Sequence, residues 1–152
     1  MNKAPKYWNK AKINLSKKDK IMKNLIQKYK DHTLTTRKDV FFSLCKSIIG
    51  QQISVAAASS VFKKFSKACG GRVNSINVEK LSVIKLKKCG LSRQKVKGIK
   101  ELAFKFENNS FNPRKIKFMS DEKAIIYLSS LRQIGRWSAE MILLFTLNRP
   151  NI

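Results

Sequence analysis

Leu131-Arg-Gln-Ile-Gly-Arg-Trp-Ser-Ala-Glu-Met-Ile-Leu143 is the stretch on which the fold turns. Ahead of it, Ser120 has the chemistry of a helix N-cap, and Asp121 and Glu122 fall in the first turn, where acids suit the helix dipole. That helix is predicted to run to about Leu131. Arg132-Gln133-Ile134-Gly135 then reads as a tight turn. A second helix begins near Trp137, with Ala139, Met141, Ile142, Leu144 and Phe145 as its apolar residues. Two helices joined this way aim the unpaired backbone N–H groups of the second at one spot, and its dipole favours an anion there. A phosphate fits, and Arg132 and Arg136 flank the turn. Short glycine-containing connections between helices are mostly structural. The geometry alone therefore leaves a plain turn and a clamp on a DNA backbone both open.

Outward from this hairpin, every readable segment is helical. Ser16 to Asp19 resembles a capping box, followed by Ile21, Met22, Leu25 and Ile26 at helical spacing. Thr36 to Asp39 repeats the signal ahead of a broad apolar face, Phe41, Phe42, Leu44, Cys45, Ile48 and Ile49, ending at Gly50. The polar break Gln51-Gln52 precedes a stripe of Ala56, Ala57, Val61, Phe62 and Phe65 that Gly70-Gly71 stops. A short helix is predicted over Val78 to Lys87, ending at Cys89-Gly90. Ser92 caps the next, with Val96, Ile99, Leu102, Ala103 and Phe106 facing inward. Asn108 to Met119, with Pro113, reads as a loop. With no repeat and no alternating strand, the fold class is all-α: one domain over 1–152, with the hairpin at 120–147.

The charge selects partners. Against 33 Lys plus Arg stand 9 Asp plus Glu, a net +24, and a field of that sign attracts polyanions, nucleic acid first. A lysine-biased composition and an acidic membrane surface are the competing explanations. No apolar run approaches the roughly 20 residues that span a bilayer, and Met1 to Leu15, charged throughout, is not a secretory signal. Cys45, Cys69 and Cys89 are odd in number and widely spaced. They match no disulfide framework, zinc motif or iron–sulfur motif, and read as reduced core thiols of a cytoplasmic protein. His32, in a Lys-Asp-His-Thr loop, is given no role, and Trp8 reads as an anchor for the N-terminal segment.

Three strings together carry a family resemblance. The hairpin resembles the L-x-G-I-G-x-W-T-A-E-M of the DNA-3-methyladenine glycosylase II family, in the helix-hairpin-helix superfamily. Ser47-Ile-Ile-Gly-Gln-Gln-Ile-Ser54 resembles its S-I-x-G-Q-Q-I-S, and Gly90-Leu-Ser-Arg-Gln-Lys-Val96 its G-L-S-x-x-K; Tyr7-Trp8 also fits. The resemblance implies the following. The helix-hairpin-helix glycosylase fold would hold duplex DNA containing alkylated bases such as 3-methyladenine and 7-methylguanine, flip the damaged base and hydrolyse its N-glycosidic bond. The backbone would be bound at Arg132, Gln133, Ile134, Gly135 and Arg136. Trp137, Gln51 and Met141 would line the base pocket, and Gln52 would wedge the duplex. No cofactor is expected, apart from a monovalent cation on the carbonyls of Ser129, Leu131 and Ile134, and the chain is expected to act as a monomer. An indole face attracts a cationic base, although Trp137 also suits an ordinary core, and Gln51-Gln52 also suits a polar turn. Trp137 stands where the lyase branch has its Schiff-base lysine, so water is the expected nucleophile.

Two departures matter. The family usually has glycine at Gln133, and a positive φ there would cost glutamine about 1 kcal/mol or shift the turn. The family's catalytic aspartate follows an N-R-P-D-x-F-P phrase, whereas this chain reads Asn148-Arg-Pro-Asn-Ile152 at its end. The expectation is thus a C-terminally truncated chain, without its catalytic acid and inactive by itself. The rival expectation is a catalytically silent helix-hairpin-helix DNA-binding protein, and an F-P-x-x-D beyond Ile152 would separate the two.

Overall fold

The computed structural model describes residues 4–35 and 39–152. The helices are α1 (Trp8–Lys18), α2 (Lys20–Lys28), α3 (Val40–Gly50), α4 (Val55–Ala68), α5 (Ser75–Glu79), α6 (Val83–Lys88), α7 (Arg93–Glu107), α8 (Asp121–Ser129) and α9 (Arg136–Phe145), with a 3-10 helix over Pro113–Phe118 before α8. No strand occurs among the described residues, as the all-α pattern anticipates.

The centre is α3. Val40, Phe41, Leu44, Cys45, Ile48 and Ile49 are all buried, and a helix buried on most of its faces belongs inside a bundle rather than on its surface. Helices α4, α7 and α9 pack around it, α5 and α6 lie against α7, and α8 lies against α9. A run of rings ties the layers together. Phe41 meets Phe106 edge-on at 5.0 Å, Phe106 stacks on Phe111 at 5.3 Å, and Phe111 stacks on Tyr127 at 4.5 Å. The Tyr127 hydroxyl accepts the Asn112 N–H at 2.8 Å, so the polar end of the last ring is satisfied. Burying six or more large apolar side chains of this kind, at about 1.5–3 kcal/mol each, makes the central bundle the dominant source of stability. Helices α1 and α2 pack on each other and contain no buried residue.

Capping explains most boundaries. Ser54, Ser82, Ser92 and Ser120 accept the N–H three residues on through their side chains, as Asp39 does from Phe42. Ser82 corrects the single helix predicted over Val78 to Lys87. Its cap on Lys85 starts a new helix, so two short helices stand there with a break between Glu79 and Val83. Ser16 is likewise not a cap: it lies inside α1, and Asp19 caps α2 by accepting from Ile21 and Met22. Thr36 lies outside the described residues. The predicted loop at Asn108 to Met119 contains the 3-10 turn, opened by Asn112 accepting from Arg114. In α4, Ala56 and Ala57 are exposed and only Phe65 is fully buried. Helix α8 ends at Ser129 rather than Leu131, and α9 starts at Arg136.

Candidate nucleic-acid interface

The turn between α8 and α9 is closed from inside. Leu131 and Ile134 are buried, and Ile134 N–H donates to the Leu131 carbonyl at 3.1 Å. Between them Gln133 takes φ +65. The turn therefore keeps the left-handed shape that glycine would take easily, and Gln133 bears the strain. Its side chain lies against α7, with Oε1 2.8 Å from where a β-carbon on Gly98 would stand. Gly98 is thus the residue that makes room for the departure at Gln133, a link across 35 positions that no local pattern signals.

Beyond the turn, Gly135 is the N-cap of α9 and supplies no side-chain cap. The first backbone bond into the helix runs from Ala139 N–H to the Gly135 carbonyl at 3.0 Å. The N–H groups of Arg136, Trp137 and Ser138 precede that bond and converge at the positive end of the dipole. Trp137 is 69% exposed on this first turn. Among the described residues it packs into no core. Met141, four residues on and on the same helical face, is partly buried.

The two arginines differ. Arg132 is exposed and loosely held, with Nη2 3.4 Å from Gln94 Oε1 and Nη1 4.0 Å from Glu101. Arg136 is engaged by two carboxylates. It donates through Nη1 and Nη2 to Glu122 at 2.8 and 2.9 Å, and through Nε to Glu140 at 2.9 Å. The hydrogen bonds from Arg136 hold the Glu122 carboxyl below its usual range, and the same bonds raise Arg136. Asp121 is also occupied: it pairs with Arg149, whose other donors reach the carbonyls of Ile116 at 2.6 Å and Met119 at 2.9 Å. Arg149 was not singled out by sequence, since nothing local shows that the chain after α9 returns to the start of α8.

Gln51 and Gln52 separate at the end of α3. Gln51 Nε2 donates to the Gln133 carbonyl at 2.7 Å, joining this loop to the hairpin across 82 residues. Gln52 is exposed at φ +57. A cleft of about 1000 Å³ lies elsewhere, lined by Val40, Phe41, Phe106, Phe118 and Leu147 among others, and no predicted site residue lines it. The three cysteines are free and buried, and burial pushes the Cys69 thiol up to about 11. At the end of α8 the Ser129 hydroxyl is buried without a hydrogen-bond partner. A buried hydroxyl without a partner is uncommon, and this one lies at the start of the turn into α9.

The model of the HhH-GPD superfamily of base excision DNA repair proteins matches residues 45–149. The chain is 27% identical over 150 residues to a DNA-3-methyladenine glycosylase 1 of Schizosaccharomyces pombe, covering 94% of this chain and 65% of that protein. It superposes with TM-score 0.77 and 25% identity on an S. pombe 3-methyladenine DNA glycosylase solved with abasic DNA, covering 94% of this chain and 72% of the other. A DNA-3-methyladenine glycosidase from Bacillus halodurans gives TM-score 0.75 at 27% identity, covering 80% of this chain and 56% of the other. The chain thus spans somewhat under two thirds of the length of some of these relatives.

Proposed function

The chain belongs to the HhH-GPD superfamily of base excision DNA repair proteins, and we propose that its site serves a glycosylase that removes alkylated bases from duplex DNA. The observation that carries this reading is the α9 N-terminus: Gly135 leaves it uncapped, and Trp137 stands 69% exposed beside it. A phosphate would accept from the N–H groups of Arg136 to Ser138, with Arg132 adding charge and Arg136 adding what its two carboxylates leave. The carbonyls of Ser129, Leu131 and Ile134 would hold a monovalent cation, whose charge would add to the helix dipole under that phosphate. Gln52 would fill the space that an extruded base leaves. Trp137, with Gln51 and Met141, would receive the base, and the electron-rich indole face favours a cationic purine over a neutral one.

Hydrolysis gathers positive charge on the sugar, and a carboxylate must stabilise it. The acids of the hairpin are committed: Asp121 to Arg149, Glu122 and Glu140 to Arg136. The resemblance puts the catalytic aspartate beyond Ile152. These 152 residues accordingly supply backbone binding and base capture, and by themselves should release no base.

Two measurements test this. The chain should bind duplex DNA with little sequence preference, with an affinity that falls steeply as salt rises; a flat salt response defeats the reading. Chromatography of alkylated DNA after incubation should show no free 3-methyladenine unless an aspartate-bearing F-P-x-x-D segment follows Ile152, and the product strand should then stay intact until alkali is added. Base release by the 152 residues alone would transfer the acid's role to Glu140. Strand nicking without alkali would end the monofunctional assignment.

A further inference from the structure

The string Gly90 to Val96 belongs to the family resemblance yet has no part in the site described above. Its lysine does have an address. Lys95 lies in the first turn of α7, and its Nζ donates to the Ile49 carbonyl and to the Gln51 carbonyl, each at 2.8 Å. These carbonyls close the C-terminal end of α3, where backbone acceptors lack helical partners and the dipole favours a cation. Partial burial lowers the Lys95 pKa, while the two carbonyls hold its ammonium in place.

Gln51 continues the chain of contacts. Its carbonyl is held by Lys95, and its side-chain amide donates to the Gln133 carbonyl at 2.7 Å. The Gln133 side chain in turn rests on Gly98, three residues after Lys95 on the same face of α7. Gln94, beside Lys95, accepts from Arg132. One face of α7 therefore touches both the loop that carries Gln52 and the turn that opens α9. Gln52 itself is exposed at φ +57, next to the residue that Lys95 holds.

We infer that Lys95 is a positioning residue that sets the distance between the wedge loop at Gln51-Gln52 and the phosphate-binding turn at Arg132–Gly135, so that both engage one duplex in register. This rests on the glycosylase reading. A phosphate held at α9 fixes where the gap of an extruded nucleotide lies. The wedge reaches that gap only if its loop is held to within a fraction of an ångström, since misplacement by about 1 Å is enough to cost about 100-fold in such sites. Lys95 touches neither the phosphate nor the base; it acts through the Gln51 main chain.

The test compares affinity for a duplex carrying a tetrahydrofuran abasic analogue with affinity for the same duplex undamaged. A 2-aminopurine beside the analogue reports unstacking. Lys95→Met should cut the preference for the analogue by about ten-fold and suppress the fluorescence rise, while affinity for undamaged duplex changes about two-fold and the salt slope is nearly kept. Lys95→Arg, which keeps a charged donor, should recover both signals. Lys95→Gln keeps an amide donor and serves if the methionine variant loses its helical circular dichroism; it should show a smaller loss of the same two signals. Unchanged preference and fluorescence in folded Lys95→Met or Lys95→Gln, with only a lower melting temperature, would overturn the inference and leave Lys95 as a helix cap. A wild-type chain with no preference for the analogue would instead fell the glycosylase reading, and this inference with it.

Discussion

Two turns in this molecule share a backbone and differ in what they leave open. Gln52-Ile53-Ser54 leads into α4, and Gln133-Ile134-Gly135 leads into α9. In each, a glutamine takes a left-handed φ (+57 and +65), an isoleucine follows, and an extended residue caps the helix. At the first, Ile53 is 40% exposed and the Ser54 hydroxyl accepts from Ala57 N–H at 3.2 Å. At the second, Ile134 is 3% exposed and Gly135 brings no side chain. The first turn is thus anchored by its cap and shows its side chains to solvent. The second is anchored by its buried isoleucine and shows its backbone N–H groups. On the proposed reading the same local shape would serve a wedge in one place and an anion site in the other, with the residue at the N-cap making the difference.

The sharpest way to break this contrast is to cap the open helix. A β-carbon on Gly135 meets nothing within 4 Å. Gly135→Asp should therefore fold and raise stability by a few tenths of a kcal/mol. It should also lower affinity for duplex DNA by more than about ten-fold, because the carboxylate takes the N–H groups and repels phosphate. A melting curve and a fluorescence titration read both signs, and undiminished binding would remove the anion site from α9.

Next in size is the screen on Arg136. Arg136→Ala removes a cation and leaves the Glu122 and Glu140 carboxylates without their partner, so affinity for every duplex should fall several-fold. Glu122→Gln should raise it by about two- to three-fold, comparable with one phosphate contact. Because Arg136 holds the Glu122 carboxyl below its ordinary 4.5, the ion pair is fully formed above that value and lost only as pH falls through the lowered one. The gain from Glu122→Gln should therefore be equal at about pH 6 and about pH 8. A gain that vanishes between them would place another titrating group at the site.

Smaller effects separate the two glutamines. Gln52 is exposed, so Gln52→Gly should relieve its positive φ and stabilise by about 0.5–1 kcal/mol. Gln133 is wedged against Gly98. Gly98→Ala should therefore be more favourable in a Gln133→Gly background than in the native chain, by about 1 kcal/mol in a double-mutant cycle followed by urea unfolding. Additivity within a few tenths would mean that the Gln133 side chain yields freely.

Much of this was legible along the chain. Helical spacing with Ser and Asp caps marks α3, α7 and α8, because capping and amphipathic burial act within one or two turns of their cause. The hairpin was visible for the same reason, and the charge of +24 points to a polyanion. The split into α5 and α6 at Ser82 was equally local but was masked by an uninterrupted apolar spacing.

What the sequence by itself determined is the inventory: an all-α chain, a glycine-ended turn before a helix, and a tryptophan on that helix. Tertiary structure alone decided how the inventory is used. It exposed Trp137, committed Arg136 to Glu122 and Glu140, returned Arg149 to Asp121, and joined Gln51 to Gln133 through a bond spanning 82 residues. The reason is range. Capping and helix propensity are settled by neighbours a few residues away, whereas exposure and the choice of a charge's partner depend on which segments the closed core brings within about 3 Å of one another, and no short window of sequence contains both sides of such a contact.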